Sequence, residues 1–228
     1  MARLLLVAAS AALLASTSSA AAVLVVRSSG PSAAAYPPGK ALPDSHVLKL
    51  KASDTVVLLD SRGTRTLSGP GSFSVTASTG AVSGAVRTAG TSARRVRLGA
   101  VRGAKARSVW QADISQSGNV CIANPSELTL YRGDATKDAT VTLTDSGGRT
   151  ATVAFKVDQW DAAWPKDIPA TSGARVNVTG IGEPATLTLR QLAPIPTGLE
   201  SMAQSLIRAN CEGQLDALID TISPRTEG

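Results

Sequence analysis

The sequence predicts a mainly β protein: a small antiparallel β domain, then a β-sandwich, then a short C-terminal pair of helices. Three observations carry this. Short apolar runs recur about every eight to twelve positions between turn residues, as in antiparallel β structure. Apolar and hydroxylated residues alternate through 138–145 and again through 150–157, the period-2 mark of a half-buried strand. Only the tail changes to helical spacing. Aromatic residues make up 3% of the chain, while Val, Thr, Ala and Gly abound, so the core is expected to be aliphatic and the strands threonine-faced.

Residues 1–22 read as a secretory leader. The one charge is Arg3, an apolar run follows over 4–15, and small residues fill 16–22. Cleavage needs small side chains at the third and first positions before the cut, and both Ser18 with Ala20 and Ala20 with Ala22 supply them. The alternative is an uncleaved anchor, because no charge stands between Arg3 and Arg27 and about 20 apolar residues span a bilayer. The polar cluster Ser16, Thr17, Ser18 and Ser19 favours cleavage.

Residues 23–79 form the first β domain, with runs at 23–26, 47–51, 55–59, 64–67 and 72–76. Asp60-Ser61-Arg62-Gly63 marks a tight turn, since Asp accepts bonds locally and Gly tolerates positive φ. Gly69-Pro70-Gly71 marks another, and Tyr36-Pro37-Pro38-Gly39 starts a loop that no strand can cross. Residues 80–107 mix Gly, Ala, Ser and Arg without clean period and read as a basic linker.

Residues 108–194 carry strand candidates at 109–113, 119–123, 127–131, 138–145, 150–157, 175–180 and 185–191. Seven strands of this spacing fit an immunoglobulin-like sandwich. Asp145-Ser146-Gly147-Gly148 joins the fourth and fifth as a hairpin turn. Trp110, Trp160 and Trp164 are expected in the core or at the sandwich edge, with ligand stacking the lesser reading. Residues 195–222 hold two helices. Thr197 and Glu200 form a capping-box pattern before the stripe Leu199, Met202, Ala203, Leu206 and Ile207; Leu215, Leu218, Ile219 and Ile222 form the second stripe. Both helices are expected to pack on the sandwich.

An exported chain permits a bridge between its two cysteines, Cys121 and Cys211, with two buried free thiols as the alternative. The net charge of +6 is local. Arg87, Arg94, Arg95, Arg97, Arg102, Lys105 and Arg107 share one stretch without an acid; without these seven, 16 of the 23 basic residues remain against 17 acids. A nucleic-acid partner is therefore not expected. Arg94, Arg95, Arg97, Arg102, Lys105 and Arg107 are instead the candidate contact for anionic lipid or polymer, and an ordinary solvated linker is the plainer reading.

Catalytic patterns are missing. The single histidine, His46, has no ligand pattern near it, so no metal site of the common His/Cys kinds is expected, and no cofactor. No Gly-x-Ser-x-Gly elbow, phosphate loop or His-Glu-x-x-His occurs. Asp158, Asp161 and Asp167 match no calcium loop. Arg132-Gly133-Asp134 falls where an ordinary turn is expected, and the sequon at Asn177 sits in a strand.

The stretch Val25-Val26-Arg27 to Gly39-Lys40-Ala41-Leu42, then Val47-Leu48-Lys49-Leu50, Asp54 to Asp60, Gly63 and Leu67-Ser68-Gly69-Pro70-Gly71-Ser72-Phe73, resembles the periplasmic FecR-type domain. The chain as a whole is similar to envelope proteins of alphaproteobacteria. The resemblance implies a β-rich extracytoplasmic module that relays envelope signals by protein contact; the family's cytoplasmic anti-sigma portion has no counterpart in these residues. The expectation is a periplasmic or secreted, non-enzymatic interaction or sensory-accessory module with an envelope protein as partner. The rival is a cell-wall, carbohydrate or polyanion binder using the tryptophans and the basic stretch. Membrane contact is open through a retained leader or through the linker. Intact mass of the chain recovered from outside the cytoplasm is expected to lack residues up to Ala20 or Ala22 and to fall two hydrogens short of the reduced mass. A full-length, reduced chain in the cytosol overturns the export reading.

Overall fold

The structure, a computed structural model, describes residues 22–76 and 107–222. Of the leader only Ala22, and of the basic segment only Arg107, fall within them; the rest of both lies outside the described residues. The protein is mainly β, with several sheets and two short C-terminal helices.

The first module contains β1 (Ala22–Ser29), β2 (Ala41–Pro43), β3 (Val47–Leu50), β4 (Thr55–Asp60), β5 (Gly63–Ser68) and β6 (Gly71–Ser74). One antiparallel sheet has the order β2-β1-β4-β5, and β3 pairs with β6 in a separate ribbon. The turn after β4 forms as its residues dictate: Asp60 accepts the Arg62 amide at 2.8 Å. β2 was not foreseen, because three residues ending in a proline carry no readable period.

β1 is buried on both faces. Val23 and Val25 enter the module's own core with Leu42, Leu48, Val56 and Leu58. Leu24 and Val26 point the other way and join Leu59 in a second core. That explains the unbroken apolar run, which a strand with one wet face would not have. A register shift between Val25 and Arg27 lets the strand leave the core and expose Arg27.

The sandwich contains β7 (Gln111–Asp113), β8 (Gly118–Ile122), β9 (Thr129–Tyr131), β10 (Ala139–Asp145), β11 (Thr150–Phe155), β12 (Asp161–Ala163), β13 (Arg175–Thr179) and β14 (Ala185–Gln191). Its sheets have the orders β11-β10-β13-β14-β8 and β12-β9-β7, with the pairs β14–β8 and β7–β9 parallel. Val141, Leu143, Phe155, Val176, Val178, Leu187 and Leu189 meet Ala112, Leu130, Trp164 and Ile168 between the sheets. The expected hairpin joins β10 to β11. Asp145 accepts the amides of Gly147 and Arg149 at 2.9 Å and the Arg149 guanidinium at 2.7 Å, so one carboxylate orders the whole turn. β12 was not foreseen, since its three residues lie among the aspartates that read as a loop.

The tail forms α1 (Leu199–Arg208) and α2 (Glu212–Ile222). The expected capping box does not form. The carbonyl that takes the first helical bond belongs to Gly198, at φ 83°, so Thr197 lies one residue too early for its hydroxyl to cap. The pair does contact the sandwich, through α2 on β8, but it also covers the second face of the first module: Ala203, Leu206, Leu215, Leu218 and Ile219 share one core with Leu24, Val26, Leu59 and Cys121. The helices thus lie between the two β modules. No helix among the described residues is long and apolar enough to cross a membrane.

Asp54 locks the first module from within. Buried beside Gly30, it accepts the Ser32 amide at 2.8 Å and the Lys51 amide. Gly30 sits at φ 96°, and a Cβ there would come within 2.6 Å of the Asp54 carboxylate and the Ser53 carbonyl, so only glycine fits. Burial pushes the Asp54 carboxyl up, but the Ser32 and Lys51 hydrogen bonds outweigh it and hold the group below its ordinary value. A carboxylate depressed in the folded state contributes stability above its unfolded value of 3.8, and that contribution is lost as pH falls through the lower folded value. Asp54→Asn is therefore expected to lower the urea midpoint at neutral pH and to flatten its decline on acidification; an unchanged acid limb contradicts this role.

Candidate binding cleft

Two hollows open where the modules and the helix junction meet. The first, roughly 490 Å³, is walled by β7, β8 and β14 of the sandwich and by the start of α2, with Asp113, Asn119, Thr186 and Thr188 among its lining residues. The second, roughly 820 Å³, lies between β1, β4 and β5 of the first module and the helices, with Val26, Thr55, Val57, Thr66 and Ile207 on its walls. Asn210, Glu212 and Asp216 line both. The two hollows therefore flank the same helix junction, one on its sandwich side and one on its first-module side, and together they make up the candidate cleft.

The cleft is built from the helix junction outward. Cys211, at the junction, is bridged to Cys121 on β8, which fixes the start of α2 against the sandwich. Gln214 is buried on the inner face of α2. Its amide oxygen accepts the Cys121 N–H, and its nitrogen donates to the carbonyls of Cys121 at 2.7 Å and Val109 at 2.6 Å. Asn119 donates to the Ala209 carbonyl at 3.0 Å. On the sandwich wall Arg107 pairs with Asp113 and donates to the Gly213 carbonyl, with its guanidinium 6.0 Å from the Tyr131 ring centre. Burial, followed by the Asp113 charge, pushes the Tyr131 hydroxyl up, against the opposing Arg107. At the first-module end Arg27 pairs with Asp216; both are about half exposed, so that pair adds little stability and its groups are accessible to a ligand.

The residues expected to be functional fall in different places. Cys121 and Cys211 come together as a disulfide, which fits an oxidising, extracytoplasmic compartment. Arg94, Arg95, Arg97, Arg102 and Lys105 lie outside the described residues. Arg107 is engaged by Asp113 and Gly213 within the fold. Trp164 is core, with its indole N–H donating to the Ile168 carbonyl at 2.7 Å, while Trp160 stacks on Tyr131 at 6.3 Å between ring centres. Arg132 is buried, its guanidinium holding the carbonyls of Gln159, Lys137 and Lys156 and lying over Phe155. It is a structural cation, and its place in an Arg-Gly-Asp tripeptide has no bearing on that work. His46 packs edge-on against Tyr36 with Nε2 buried and unbonded. Among the described residues no group of three or more His, Cys, Asp or Glu is placed to hold a metal ion.

Sequence reasoning missed Asn119, Gln214, Glu212 and Asp216. One signal was present for Gln214: it is an amide next to Leu215 on a helix whose buried face is otherwise apolar. Compared with known proteins, the chain matches no family model, no curated protein and no solved structure. Gln214→Leu is expected to cost roughly 1–3 kcal/mol in urea unfolding, because the apolar side chain leaves both Cys121 backbone groups and the Val109 carbonyl without their partner. A loss below the error of that measurement contradicts the role given to this amide.

Proposed function

We propose that the protein is an exported, non-catalytic envelope module that holds an extended segment of a partner protein in the cleft between its two β modules. The observation that carries this reading is that the two hollows adjoin at one helix junction, with Asn210, Glu212 and Asp216 lining both. A compact metabolite needs a closed pocket with converging polar groups. An extended chain needs a long trough with polar and apolar stretches in succession, and this cleft supplies amides and hydroxyls on the sandwich side and aliphatic surface on the other. The disulfide and the sequence of residues 1–22 support export, and the FecR-type likeness of the first module supports a role in signalling by contact. The rival, a cell-wall or polyanion binder, draws on the basic segment and on the aromatic pair Tyr131 and Trp160.

Immobilised protein challenged with envelope extract separates the two. A protein partner is expected to be retained as salt rises, and to be lost roughly ten-fold when Thr188→Trp and Ser28→Trp narrow the two ends of the cleft. Retention that ignores both substitutions overturns the cleft as the site. Capture of polysaccharide alone, falling steeply with salt, transfers the assignment to the basic segment.

A further inference from the structure

A sheet edge with unpaired amides and carbonyls recruits other strands, and proteins blunt such edges with short strands, proline, charge or cover. This chain blunts one edge after another. At β8 the Gln214 side chain accepts from the Cys121 amide and donates to the Cys121 carbonyl, as a neighbouring strand would. β2, β7 and β12 are three residues long, and β2 ends in Pro43. β3 carries Lys49, and β5 carries Arg65 and meets the end of α2 at Gly63. β11 is different. It is the outer strand of the five-stranded sheet, six residues long, Thr-Ala-Thr-Val-Ala-Phe, without charge, proline, glycine or bulge.

The ladder shows which groups this edge offers. The Asp145 amide donates to the Arg149 carbonyl at 3.0 Å, so that pair is a hydrogen-bonded one, and such pairs alternate along an antiparallel ladder. The registered pairs Leu143 with Ala151, Val141 with Val153 and Ala139 with Phe155 then exchange bonds, and Thr150, Thr152 and Ala154 turn their amides and carbonyls outward. This outward set is symmetric about Thr152.

We propose that β11 is a dimerisation edge, pairing antiparallel with β11 of a second copy about a two-fold axis through Thr152. In that register Thr152 faces Thr152 of the second copy, Thr150 faces Ala154, and Ala151 faces Val153. Every outward amide and carbonyl of 150, 152 and 154 finds a partner, which a pairing centred on Val153 does not achieve. Threonine stays opposite threonine or alanine on one face and aliphatic opposite aliphatic on the other, so the face alternation of the sheet continues across the axis. No charge meets a like charge: Arg149 falls opposite Phe155, and Lys156 opposite Gly148. The occupant is therefore a copy of this chain, and the inference stands apart from the occupant of the cleft.

Sedimentation of the purified full chain from about 1 to 200 µM tests it. The weight-average mass is expected to rise two-fold. Thr152→Lys, which opposes two cations across the axis, and Thr152→Pro, which removes the central outward amide but none of those bonded to β10, are each expected to raise the dimer dissociation constant at least about ten-fold without altering the sandwich's circular dichroism. Should the proline variant misfold, the lysine variant carries the test, because Thr152 is exposed. Thr152→Cys is expected to form an interchain disulfide, since hydrogen-bonded pairs sit about 5.5 Å apart at Cα, and Val153→Cys is not. A monomer at every concentration, a dimer indifferent to Thr152, or trapping by Val153→Cys in place of Thr152→Cys overturns the proposal.

Discussion

The sheet formed by β1 and β4 has no polar face, and the rest of the molecule is arranged around that fact. One side closes over the module's own core. The other presents Leu24, Val26 and Leu59, each at most 1% exposed, to the helical pair at the far end of the chain. Burying an aliphatic side chain of this size is worth roughly 1.5–3 kcal/mol, so three of them rival the net stability of a whole domain. The first strand therefore depends on the last two helices. Those helices are in turn fixed to the sandwich by the Cys121–Cys211 bridge, which closes a loop of 90 residues and restricts the unfolded chain by roughly 4–5 kcal/mol in the loop-entropy account.

This dependence marks the limit of what the residues reveal in order. β10 and β11 could be read because one face is wet, and the alternation over 139–145, repeated from Thr150 after the turn, then has one explanation. β1 could be read as a strand, yet four apolar residues in succession state only that both faces are covered, not that α1 and α2 cover one of them. β2 and β12 were illegible because three residues cannot establish a period. The Thr197 cap failed over a single position, since the helix takes its first bond on Gly198. The disulfide was legible from the presence of two cysteines in a chain with a leader-like start. The cleft was not, because Asn119, Gln214 and Asp216 come from opposite ends of the second half of the chain and meet only after the helices dock.

Charged residues show the same divide between neighbours in sequence and neighbours in space. Arg107 ends a run of cations that looks like a single basic surface, but its own guanidinium is occupied by Asp113 and the Gly213 carbonyl. Arg132 is followed by Gly133 and Asp134, and the three separate in space by role. Arg132 gathers carbonyls from two loops under Phe155, while Asp134 accepts from the amide and hydroxyl of Thr136 in its own turn. Asp145 and Asp54, far apart in the chain, do similar work: each carboxylate satisfies backbone amides that no strand can reach.

The placement of α2 decides how far the wall of the cleft can move. Its first two turns carry Glu212, Gly213 and Asp216 on the cleft wall, its inner face carries Gln214 bonded to β8, and its far end abuts β5. A ligand pressing on this wall thus meets a helix tied to both modules, with the disulfide one residue before its start. Movement of the wall would break the Gln214 bonds to Cys121 and expose the core shared with β1. Those costs oppose closure around a ligand by hinge motion. If the proposed segment binds here, it meets a cleft already formed, so the ordering cost would fall on the segment rather than on this protein.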